Sequence, residues 1–125
     1  GDNVEMDDVK INSFLPHSCQ KTTSIKDFMQ KLKKEHAYFE KLRMGAEADS
    51  KRLRVVASYN KGSVAVSLKQ VETDHPFYNM EGSDNIVLFK TKRYSDQPLV
   101  IKGSGAGPEV TAAGVFADII RIANI

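Results

Sequence analysis

The last quarter of the chain, PLVIKGSGAGPEVTAAGVFADIIRIA (Pro98–Ala123), reads as a strand, a glycine-rich turn and a helix. A strand that passes through glycines into a helix N-terminus offers an anion unpaired N–H groups and the positive end of the helix dipole. No further strand follows within this sequence, so the element alone makes no βαβ unit and no dinucleotide site. The glycines are then either structural or one half of a site whose other half lies elsewhere. The helix favours the second reading. Pro108 stands in its first turn, where a missing N–H costs nothing, and Glu109 complements the positive end. Beyond Thr111 the residues are almost all apolar, with Asp118, Arg121 and Asn124 confined to one narrow stripe. A helix apolar most of the way round requires cover on most of its circumference, which one small sheet cannot give. The expectation is a second surface, from another domain or another subunit.

Upstream, the pattern alternates between helix and strand periods. Gly1–Lys21 reads as an irregular lead-in with one short strand near Val9–Ser13, stopped by Pro16. Ser24–His36 reads as a helix: Ser24 can cap it, and Ile25, Phe28, Met29 and Leu32 fall on one face. A second helix is expected over Tyr38–Asp49, weakened by Gly45. Leu53, Val55, Ala57 and Tyr59 alternate with Arg54, Val56 and Ser58, and Val64, Val66 and Leu68 alternate with Ala65, Ser67 and Lys69. The Asn60-Lys61-Gly62-Ser63 turn between them predicts a β-hairpin. Gln70–Ser83 is a loop. Ile86–Thr91 predicts a strand whose apolar start suits cover on both faces, and Leu99–Lys102 predicts another. The class is therefore α+β: a mixed, mostly antiparallel sheet of about four to five strands, two helices on one face and a C-terminal apolar helix.

With 125 residues the chain suffices for one domain, expected to bury roughly 65% of the surface its unfolded form exposes. The net charge of +2 comes from basic residues spread among almost as many carboxylates. That spread excludes the clustered basic face a nucleic-acid partner needs. Cys19 is the sole cysteine, so no internal disulfide forms and a reducing, cytoplasmic compartment is expected. No run of about 18 apolar residues is present to span a membrane, and no signal peptide is recognisable. Gly1 in place of methionine is the residue expected after tag cleavage of an excised piece.

Few residues offer chemistry by themselves. The turn Lys102-Gly103-Ser104-Gly105-Ala106-Gly107 lacks the lysine and hydroxyl that follow the glycines of a P-loop. His17, His36 and His75 have no partners at ligand spacing, so no metal is expected. Cys19 with a distant histidine could form a nucleophile–base pair, but a half-buried structural thiol is the simpler reading. Glu81-Gly82-Ser83-Asp84-Asn85 suits either a polar ligand or the turn before a strand. Lys31, Lys33 and Lys34 read as the solvated face of their helix.

EGSDNIV (Glu81–Val87) followed by QPLVIKGSGAGPEVTAAGVFADIIRIA (Gln97–Ala123) resembles the C-terminal part of homoserine dehydrogenase, as do INSFLP (Ile11–Pro16), RLRVVASY (Arg52–Tyr59) and HPFY (His75–Tyr78). The pattern GxGAG-xx-VTAAGV-xx-DI is far more specific than the glycines alone. The likeness is strongest to the bifunctional aspartokinase–homoserine dehydrogenases. The resemblance implies NAD(P)H-dependent interconversion of L-aspartate 4-semialdehyde and L-homoserine, on the way to threonine, methionine and isoleucine. NADP or NAD would be held mainly by an N-terminal Rossmann domain. The substrate-binding carboxylates and the general-acid lysine of the family find no match here, so the resemblance assigns no catalytic residue and implies an inactive isolated chain. It does assign cofactor contact to the glycine turn, through Gly105, Ala106, Gly107 and Thr111. Residues 1–107 would form the substrate-binding and dimerisation domain, whose sheet pairs in a homodimer. Residues 108–125 would return to the Rossmann domain. Ser104 and Pro108-Glu109 depart from the commoner family residues. The alternative is a free-standing regulatory or small-ligand-binding α+β module without catalysis, or a chain that serves chiefly to dimerise.

Overall fold

The computed structural model describes residues 3–124, so the expected bounds at positions 1 and 125 lie outside it. The fold is α+β, and the chain divides into two compact units, Gly1–Tyr78 and Asn79–Ile125. The described residues form five strands, split between a three-stranded mixed sheet and a two-stranded antiparallel one.

The first unit starts with a 3₁₀ turn (Met6–Asp8) and the short strand β1 (Lys10–Asn12). After Pro16 the chain makes a single-turn helix α1 (His17–Gln20), too short to leave a periodic signature. Helix α2 (Ile25–Lys34) is capped as its residues require: the Ser24 hydroxyl accepts the Asp27 N–H at 3.1 Å. Lys31 Nζ lies 2.9 Å from the Asp27 carboxylate, one turn away. This bond, with the Thr23 N–H, holds Asp27 below its ordinary value. Helix α3 (His36–Ala48) follows after Glu35 alone, so the second helix begins two residues earlier than its apolar pattern indicates.

The end of α3 aims the chain into the sheet. Ser50 is left-handed (φ 57), the Lys51 N–H returns to Ala46 O at 2.8 Å, and the Ser50 N–H returns to Glu47 O at 2.9 Å. These are the two bonds of a Schellman closure, with serine where glycine is usual. Two opposite outcomes are expected in thermal melts. Ser24→Ala lowers stability by about 1 kcal/mol, and Ser50→Gly raises it by about 0.5–1 kcal/mol.

Strands β2 (Arg52–Asn60) and β3 (Ser63–Val71) form the expected hairpin. Lys61 and Gly62 carry φ of 46° and 81°, the positive pair of a two-residue turn that matches strand twist. β1 pairs parallel to β3, with Ile11 beside Val66, and makes the sheet mixed. Pairing Val55 with Leu68, Ala57 with Val66 and Tyr59 with Val64 gathers the apolar positions on one face. That face is open at its outer strands, where Ile11 is 70% exposed, Val55 57% and Tyr59 60%, while Val64, Val66 and Leu68 of the central β3 are half-buried. The opposite face bears Arg54, Val56 and Ser58, all half-buried.

The expected sizeable core is not realised in the described residues. Among the described residues the only buried apolar side chains are Cys19, Ala46 and Val71, all in the first unit. Both periodic patterns are real, but beyond these three the apolar residues they organise are half-buried at best, and Ile25, Met29, Val55 and Tyr59 are exposed.

In the second unit β4 (Asp84–Phe89) pairs antiparallel with β5 (Leu99–Ser104), and α4 (Pro108–Ala123) ends the chain. β4 starts two residues before its apolar run because Asp84 pairs with Ser104 and its carboxylate meets Lys102 Nζ at 3.1 Å. Its apolar start is not covered on both faces, since Val87 and Phe89 remain exposed. A two-stranded sheet supplies no second layer. No residue of α4 is buried, and Phe116 and Ile122 are 63% and 72% exposed.

Candidate functional site

The glycine turn is built by the β4–β5 ladder. The Gly105 N–H donates to Ser83 O at 2.9 Å, one step beyond the Asp84–Ser104 pair. The EGSDN and GSGAG segments, some twenty residues apart in sequence, thus meet at one end of the small sheet. Gly103 and Ser104 belong to β5, leaving Gly105, Ala106 and Gly107 as the connection to α4.

Gly107 is the N-cap residue of α4, with φ 149 and ψ 154. That region suits glycine, and a Cβ there would meet nothing within 4 Å, so the requirement is conformational rather than steric. With glycine at the cap, no side chain caps the helix. Pro108 has no N–H, and the N–H groups of Glu109 and Val110 have no capping side-chain acceptor. The Thr111 N–H returns to Gly107 O at 3.1 Å, and the Thr111 hydroxyl donates to the same carbonyl at 2.9 Å. Thr111 thereby ties down the residue that opens the helix. Of the four residues assigned to cofactor contact, Gly105, Ala106 and Gly107 are consecutive and Thr111 lies one turn along α4, bonded to Gly107. The exposed backbone and first-turn donors fit a polar or anionic part of a ligand.

HPFY is held differently, within the first unit. Arg54 Nε donates to Phe77 O at 2.8 Å, and its Nη2 donates to Tyr78 O at 2.7 Å. Arg52 donates to Tyr78 O at 3.1 Å and stacks over the Tyr78 ring at 4.5 Å. His75 Nδ1 accepts the Phe77 N–H at 3.1 Å. Two arginines of β2 therefore clamp this segment to the hairpin. The alternating charges of RLRVV could have signalled it, but the partners are main-chain carbonyls and leave no mark in the sequence. The three histidines form no cluster: among the described residues no three His, Cys, Asp or Glu groups gather to hold a metal. Cys19 is buried and free.

The chain is thus an α+β module in which a small antiparallel sheet feeds a glycine turn into an exposed apolar helix. Its lineage follows from comparison. The family profile for homoserine dehydrogenase matches residues 1–120, and the chain belongs to that family. A maize protein named bifunctional aspartokinase/homoserine dehydrogenase 2, chloroplastic, is 41% identical over 99% of the chain. Homoserine dehydrogenase of Saccharomyces cerevisiae is 37% identical over 91% of it, and the bifunctional enzyme of Haemophilus influenzae 36% over 97%. The chain spans 14%, 32% and 15% of the lengths of these three relatives. A crystal structure of a Candida auris protein described as of unknown function superposes with a TM-score of 0.74 at 39% identity, covering 93% of this chain and 33% of that one. No described helix is long and apolar enough to cross a membrane.

Proposed function

We propose that the chain is the C-terminal part of a homoserine dehydrogenase that interconverts L-aspartate 4-semialdehyde and L-homoserine with NADP or NAD. The observation that carries the reading is the GSGAG turn opening an uncapped helix, in a chain that matches the family over residues 1–120. Gly105, Ala106, Gly107 and Thr111 contact the cofactor, and the nicotinamide supplies the hydride when bound. The catalytic carboxylates and the general acid lie outside this chain, which alone is inactive. Residues 1–107 form the substrate-binding and dimerisation domain, and helix 108–125 docks on the Rossmann domain. The exposed Val115, Phe116, Ile119 and Ile120 support that docking. The exposed Ile11, Val55 and Tyr59 support a homodimer formed through the sheet.

A bifunctional parent with an aspartokinase part is the favoured setting, supported by the 41% identity to the maize enzyme. A cytoplasmic location is supported by the single free cysteine. The test is an assay of the native-length gene product beside the 125-residue chain. The native-length protein is expected to consume reduced nicotinamide when given aspartate semialdehyde, and the chain alone is not. A native-length protein without turnover overturns the reading.

A further inference from the structure

The β4–β5 register places Asn85 opposite Gly103, so its diagonal neighbour on the same face is Gly105. Neither glycine has a side chain, which leaves a bare strip of backbone for Asn85 to lie along. It leans one way. A Cβ built on Gly103 meets nothing within 4 Å, whereas one built on Gly105 falls 2.6 Å from Asn85 Oδ1 and closer still to Nδ2 and Cγ. Gly105 does not have the positive φ that would itself demand glycine. A side chain at 105 would compete with the Asn85 carboxamide, which occupies the space a methyl would take. The N–H of Gly105 is held by Ser83 O. Gly105 is thus held twice, through its N–H by Ser83, the residue just before β4, and by the Asn85 carboxamide that stands where a side chain would be.

We propose that Asn85 is a positioning residue of the cofactor turn: its carboxamide, packed on Gly105, sets the path of Gly105-Ala106-Gly107 into α4. The inference rests on the dehydrogenase reading. It goes beyond that reading by assigning a role to a residue of β4 and a specific reason to Gly105. Gly107 is distinct, since its glycine is required by φ and no neighbouring side chain fills its space.

Asn85 is short, exposed and able to rotate. Adding a methyl at 105 therefore expels the carboxamide instead of unfolding the unit. Gly105→Ala should thus reproduce Asn85→Ala, and the two should not add. In the native-length enzyme each single variant is expected to raise the cofactor KM about tenfold, with kcat changed less than about twofold and Tm unchanged. The double variant Asn85→Ala/Gly105→Ala should be no worse than either single variant. Gly103→Ala, on β5 and touching nothing, serves as control and should match the unmodified enzyme. Additive losses in the double variant, or an unchanged cofactor KM in Asn85→Ala, overturn the proposal while the dehydrogenase reading stands. An unmodified enzyme without turnover overturns the reading, and the proposal with it.

Discussion

Ala46→Asp is expected to unfold the first unit. Ala46 is 2% exposed and is one of only three buried apolar side chains among the described residues. Three effects act in the same direction. A carboxylate there loses its hydration without an ion partner. It lies in the last turn of α3, beside the negative end of the helix dipole. Aspartate is also a poorer helix former than alanine. Together they lower stability by about 3–5 kcal/mol, comparable with the whole stability of a small domain. The measurement is a thermal melt of the native-length protein with limited proteolysis of the first unit. Ala46→Gly, which removes the buried methyl and weakens helix propensity but adds no charge, should cost about 1–2 kcal/mol and leave the melt cooperative. A cooperative melt near the unmodified Tm in Ala46→Asp would mean that Ala46 is not part of a core.

Phe116→Asp/Ile120→Asp is expected to abolish dehydrogenase activity without disturbing the fold of the chain that carries it. The two residues lie one turn apart on α4, 63% and 45% exposed. Neither is buried within this chain, so the substitution costs the chain alone far less than it costs a docked helix. Docked on another domain, each would contribute roughly 1.5–3 kcal/mol, and an aspartate would reverse the sign. The expected loss of kcat/KM in the native-length protein exceeds about 100-fold. Asp118→Ala/Arg121→Ala, on the polar stripe and 73% and 82% exposed, should leave activity near normal. Full activity in the apolar double variant would remove the case for docking through this face.

The sequence was legible where information is local. The serine cap of α2, the Lys61-Gly62 turn and the period-two runs of β2 and β3 each depend on residues within about four positions of one another. Element bounds shifted where tertiary bonds extend a pattern. β4 begins at Asp84 because Ser104 and Lys102 face it, and α3 begins at His36 although Tyr38 is its first apolar residue. The single turn α1 is too short for any periodicity to announce. The full core expected from chain length did not form within the described residues, because length sets how much surface a chain could bury and not where the covering layer comes from.

The sequence by itself determined the family, through GxGAG-xx-VTAAGV-xx-DI, and also which residues are apolar and with what period. The tertiary structure alone decided that EGSDN and the glycine turn meet, that Asn85 leans on Gly105 and away from Gly103, and that Arg52 and Arg54 hold main-chain carbonyls of HPFY. The physical reason is one of range. Caps and periods are written in neighbouring residues. Cross-strand diagonals are set by register across the loop joining β4 to β5, and a one-residue slip there would send Asn85 to the opposite face of the sheet.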